Sequence, residues 1–115
     1  MPTLPDKSFR VDLAYNYELN YVFSTIYRAA QACGFNIEGA DNNNYMLYLT
    51  KGMSMFTWGE KLYVAAGILP DGRTGVTIVS QPKLGTEFGA RKQNQKNVEL
   101  FVTMLNQMLG QMYQP

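Results

Sequence analysis

Apolar positions first recur every second residue. In residues 8–15 (SFRVDLAY), Phe9, Val11, Leu13 and Tyr15 alternate with Arg10, Asp12 and Ala14, the period of a strand with one buried face. The period then lengthens: Leu19, Val22, Phe23, Ile26, Ala29, Ala30 and Cys33 form the apolar stripe of an amphipathic helix. Asn16 is its expected N-cap, Glu18 suits the positive end of the dipole, and Gly34 is the expected stop. Four short strands follow. Phe35 and Ile37 alternate with Asn36 and Glu38, and the polar run Asp41–Asn44 is turn chemistry tolerant of positive φ. Residues 45–51 set Tyr45, Leu47 and Leu49 against Met46, Tyr48 and Thr50, and residues 61–69 place Leu62, Val64, Ala66 and Ile68 on one side. After the turn Pro70-Asp71-Gly72-Arg73, residues 74–81 return with Val76 and Ile78 inward, and Pro82 stops the strand because it has no ladder donor. A second helix, starting between Gly89 and Asn94, carries Val98, Phe101, Val102, Leu105, Met108, Leu109 and Met112 on one stripe.

The order β-α-β-β-β-β-α predicts an α+β two-layer sandwich, an antiparallel sheet with both helices packed on one face. The 115 residues are expected to form one domain, residues 1–7 being a flexible N-terminal tail. With 46% hydrophobic and 17% charged residues, the chain has the composition of a packed globule and not of a disordered tail. A net charge of +1 gives no bulk attraction to nucleic acid or acidic membrane. No apolar run reaches the ~18 residues of a membrane span. Residues 1–10 lack the apolar core of a signal peptide, and the lone Cys33 has no internal partner. These features point to a cytoplasmic chain, although an exported domain with its leader removed would look the same. With no histidine, His-based triads and His-ligated metals are impossible, and one cysteine excludes multi-Cys zinc sites. No cofactor and no catalytic residue is expected, because the nine acidic residues are scattered without a spacing that forces two carboxylates together.

Two regions stand out as binding surfaces. The segment Met53, Met55, Phe56, Trp58 sits between Gly52 and Gly59, where it is expected to leave regular pairing. Its four large apolar side chains suit adaptable contact with a partner; alternatively, the segment folds over one end of the sandwich and completes the core. The second region is the sheet face away from the helices: Met46, Tyr48, Thr50, Tyr63, Ala65, Leu69, Thr77 and Val79. It is large and almost uncharged, with Tyr48 and Tyr63 able to lie side by side, so it reads as a dimer interface or ligand platform. Ordinary cross-strand pairing on an open sheet is the plainer alternative, and a register shift of one residue would exchange this face with the core. A third cluster, Lys83, Arg91, Lys92 and Lys96 near a helix start, could hold an anion or a nucleic-acid phosphate; the alternative is a solvated loop. Residues 1–60 carry four Lys/Arg against six Asp/Glu and residues 61–115 six against three, so the positive charge lies in the second half. Tyr17, Tyr21 and Arg28 form a further row on the first helix, opposite its apolar stripe.

The stretch Gly52-Met53-Ser54-Met55-Phe56-Thr57-Trp58-Gly59-Glu60, with Pro82-Lys83-Leu84-Gly85-Thr86 and Lys92 to Glu99, resembles an uncharacterised family of small bacterial domains. The topology is also similar to TATA-binding-protein-like and helix-grip folds, which host several unrelated functions, so no catalytic residue comes with the resemblance. The residues and the resemblance together lead us to expect a non-catalytic binding module. Protein- or self-association through the open sheet face and the Met53–Trp58 segment comes first, with a homodimer as one form. The alternatives are a carrier of a small apolar ligand between sheet and C-terminal helix, lined by Met104, Met108 and Met112, and anion or nucleic-acid contact through the basic cluster.

Overall fold

A computed structural model describes residues 9–53, 58–82 and 90–112. The elements are β1 (Phe9–Tyr15), α1 (Leu19–Ala32), β2 (Asn36–Asp41), β3 (Met46–Met53), β4 (Trp58–Ile68), β5 (Thr74–Pro82) and α2 (Ala90–Met112). The five strands form one antiparallel sheet in the order β1-β5-β4-β3-β2. The predicted α+β architecture is the one observed, and the register matches the alternation read from the sequence.

One face of that sheet carries the core. Leu47 and Leu49 of β3, Leu62 and Val64 of β4, and Val76 and Ile78 of β5 are all fully buried. Against them lie Val22, Phe23, Ile26, Ala29 and Ala30 from α1 and Val98, Phe101, Leu105 and Leu109 from α2, so both helices cover the same side. Helix α1 runs over β4 and β2, and α2 over β5 and β1. Two hydroxyls hold the seams of α2: Tyr15 donates to Asn106 Oδ1 at 2.8 Å, and Tyr21 donates to the Leu109 carbonyl at 3.1 Å. The Tyr17–Tyr21 row therefore packs within the chain, with its rings 5.6 Å apart. Among the described residues, no helix is long and apolar enough to cross a membrane.

Helix ends and turns show which local signals won. Gly34 stops α1 at φ 81°, a left-handed position that costs glycine little, and Gly72 takes φ 91° in the 70–73 turn. The N-cap is Glu18, in extended conformation and without a side-chain cap bond, not Asn16. In the Asp41–Asn44 turn, the Asp41 carboxylate accepts from the Asn43 and Asn44 amides at 3.1 Å each. The positive φ there falls on Tyr45, at 55°, and not on an asparagine. Its ring meets Phe23 edge-on at 5.4 Å and its hydroxyl donates to Asn20 Oδ1 at 2.8 Å, so tertiary packing holds an unfavourable backbone conformation.

Three expectations are corrected. Ile68, predicted to point inward, is 70% exposed. The β3–β4 ladder ends at the pair Met46↔Ala65, so β4 beyond that point has only β5 beside it and runs past the core. The second strand extends to Asp41 and contains an irregularity between Ile37 and Gly39, which adds one residue on that strand. Cys33 is the half-buried C-cap of α1 rather than a core residue; burial pushes its thiol up against the opposing influence of Lys51.

Two outcomes follow from this packing. Phe101→Ala should cost about 3–5 kcal/mol in urea unfolding, whereas Ile68→Ala should stay within about 0.5 kcal/mol. Desolvation raises the Tyr15 hydroxyl from 10.0 to about 12, so the folded state keeps a proton that the unfolded chain releases earlier. Its stabilisation is complete below pH 10 and is lost as the pH rises toward 12; Tyr15→Phe should remove that part of the alkaline slope in thermal melts.

Candidate functional site

Because both helices cover one side, the other side of the sheet has no described residue over it. Strand pairing arranges its side chains in rows. One row runs Arg10–Val79–Tyr63–Tyr48–Gly39, and the next Asp12–Thr77–Ala65–Met46–Asp41. A third contains Lys61 beside Thr50, with Asn36 at its end. Alternation fixes this on β3, β4 and β5, where each of these positions neighbours a buried core residue along its own strand.

The centre of the face is aromatic and uncharged. Tyr48 and Tyr63 meet edge-to-face, ring centroids 5.5 Å apart and planes at 85°, a favourable quadrupole arrangement. Tyr48 is 37% exposed, and its hydroxyl lies 4.0 Å from the Met46 sulfur. Met46, Tyr63, Ala65, Thr77 and Val79 are half-buried. Small residues on β4 and β5 lower the surface further along: a Cβ added at Gly75 would stand 2.7 Å from Leu69, whose side chain lies across that glycine.

Arg10 and Asp12 pair at the β1 margin and Glu38 lies on the β2 side, while Lys61 stands on the central strand β4 next to the tyrosines. On β1, Asp12 takes hydrogen bonds from the Thr77 hydroxyl at 2.7 Å and from Arg10 Nε at 3.2 Å. The Thr77 hydroxyl, then the Arg10 guanidinium, hold the Asp12 carboxyl below its usual range. On the opposite side Glu38 stands on the face, where the Thr50 hydroxyl donates to Glu38 Oε2 at 2.7 Å. This contact explains why Thr50, expected to be open, is only 6% exposed.

Two depressions mark the face. One, of about 260 Å³, is lined by Glu38, Tyr48, Leu49, Thr50, Lys61 and Tyr63. The other, of about 310 Å³, lies over Ala65, Gly67, Leu69, Gly75 and Thr77 near the β4–β5 turn. Glu38 is the residue that sequence reading missed here. Its signal was the alternation on β2, which sets Asn36 and Glu38 on the side opposite Phe35 and Ile37.

The remaining predicted residues are distributed as follows. The β3–β4 ladder continues through Lys51↔Glu60 to the pair Met53↔Trp58, so pairing reaches past Gly52 and Gly59, where it was expected to have ended. Met55 and Phe56 lie outside the described residues, as do the side chains of Met53 and Trp58. Lys96 is exposed on α2; Arg91 and Lys92 lie on the same helix with side chains outside the described set, and Lys83 lies outside it altogether. No convergence of the four is described. Between sheet and α2, Phe101, Leu105 and Leu109 are fully buried, with Met104 and Met108 half-buried beside them.

Among solved structures, the chain is similar to that of Ara h 8.0201, with a TM-score of 0.56, 10% identity, and coverage of 90% of this chain and 97% of that one. At that identity the likeness is one of fold: a sheet carrying helices. It does not extend to the bacterial or TATA-binding-protein-like part of the resemblance. No family model matches the sequence, and no curated protein matches it significantly.

The geometry makes one bond measurable. Thr50→Val removes a nearly buried donor to a carboxylate, and should cost about 1–2 kcal/mol in chemical denaturation. Glu38→Gln, which keeps an acceptor for the same hydroxyl, should cost clearly less.

Proposed function

We propose that the chain is a non-catalytic protein-association module whose contact surface is the open sheet face. One observation carries the reading: an aromatic, uncharged centre of Tyr48, Tyr63, Met46, Ala65 and Val79 is bordered by charged groups at both margins. Protein contact surfaces have this organisation, with a core depleted of charge and enriched in aromatic side chains, and a polar rim. Met53 and Trp58 end the same two strands and would extend the surface.

The fold likeness to Ara h 8.0201 is compatible with a binding role and assigns no site. A small-ligand site under α2 has less support, because Phe101, Leu105 and Leu109 fill that space. An anion site at Lys83, Arg91, Lys92 and Lys96 has only the sequence clustering behind it.

Tyr63→Glu places a charge in the middle of the face without touching the core. It should leave circular dichroism and melting nearly unchanged while lowering association at least tenfold, read as elution volume and recovery of bound protein. Trp58→Ala should act in the same direction. Unchanged elution and unchanged recovery for both variants would defeat the reading.

A further inference from the structure

The association reading above leaves the partner open, and the arrangement of charge on the face narrows it. We propose that the partner is a second copy of this chain, docked face against face about a two-fold axis parallel to the strands, between β3 and β4. Lys61 of each copy then meets Glu38 of the other across a centre of four tyrosines.

The inference rests on self-complementarity. A two-fold contact requires that, where residue i meets j, j also meets i. An axis between β3 and β4 exchanges those strands. Tyr48 and Tyr63 share one row, so each tyrosine of one copy falls opposite the other tyrosine of the second. In the neighbouring row Thr50 pairs with Lys61, so Lys61 of one copy falls over Thr50 of the other. Glu38 is held at that position by the 2.7 Å bond from the Thr50 hydroxyl. The base thus lies on the β4 side of the axis and the acid on the β2 side, as reciprocal pairing demands. Both line the same depression within one copy, yet they form no ion pair within 4.0 Å among the described residues.

The other charges on the face do not select a different partner. Arg10 and Asp12 neutralise each other at the β1 margin, and Asp41 is turned into its own loop, accepting from Asn43 and Asn44. With Lys61 offset by Glu38, the face has no single-sign field that would select a strongly acidic or basic partner. Two twisted sheets stack readily in this way, their strands about 30° apart. An axis between β3 and β4 overlaps four of the five strands, at about 4.8 Å each a contact roughly 20 Å on a side, so the pair would bury on the order of 800 Å² in total, at the weak end of specific contacts. A concentration-dependent dimer follows, not an obligate one.

The test uses sedimentation velocity on the full chain from about 5 to 500 µM. Wild type should shift from monomer toward dimer across that range. Lys61→Glu and Glu38→Lys should each weaken dimerisation at least tenfold, because each sets like charge against like charge twice. Mixing the two variants should restore it as a heterodimer, since both junctions are then complementary in trans. Should Glu38→Lys fail to fold, Glu38→Gln and Lys61→Gln replace the pair, each weakening the dimer and together no more than either alone. A wild type that is monomeric throughout, single variants without effect, or a mixture no better than its components would overturn the second-copy assignment. The association reading survives that outcome if Tyr63→Glu still lowers recovery of a different protein, and falls with it if Tyr63→Glu changes nothing.

Discussion

One-sided burial of the sheet governs the rest of this structure. A strand turns successive side chains to opposite faces, so every inward residue fixes an outward neighbour. Once Leu47, Leu49, Leu62, Val64, Val76 and Ile78 are buried, Met46, Tyr48, Tyr63, Ala65, Thr77 and Val79 have nowhere to go but the other face. Two helices, each apolar along a single stripe, supply one cover and not two. They share it: α1 spans the β2 side and α2 the β5–β1 side, with Phe101 meeting Phe35 edge-on at 6.0 Å where the layers join.

That constraint explains why the face has both relief and rigidity. Its middle strands are paired on both sides, so the tyrosines stand on backbone that cannot move without breaking core contacts. The depressions arise where tall and short side chains alternate, Tyr48 and Tyr63 beside Thr50, and Leu69 lying over Gly75. A rigid surface loses little freedom on docking, which favours association even when the buried area is small.

Much of the fold was legible because period two and period 3.6 are strong signals that agreed with the turn chemistry. The register came from the same alternation, and with it the identity of the open face. What the sequence hid lay at the margins of elements. Ile68 satisfies the inward alternation but lies beyond the end of the β3 ladder, and the length of a ladder is not a local property. Tyr45 takes the left-handed position next to four better candidates because its ring packs on Phe23, a contact between residues far apart in the chain. Asn16 lost the cap to Glu18 because the helix begins where Val22 and Phe23 must reach the sheet, and not where the best capping side chain stands. Glu38 alternates onto the open side, but its bond from the Thr50 hydroxyl joins residues twelve apart in the chain and is not a local property.

The ionisable groups on the two faces fit the same division. Tyr15, on the helix-covered side, is pushed up to about 12 by desolvation and donates to Asn106, which marks a structural hydroxyl under cover. Asp12, on the open side, is shifted the opposite way by the Thr77 hydroxyl and the Arg10 guanidinium. A carboxylate held more strongly ionised is a weaker proton acceptor, and here its charge is offset by the Arg10 guanidinium beside it. General acid–base work calls for groups moved toward neutral pH; Asp12 is moved away from it.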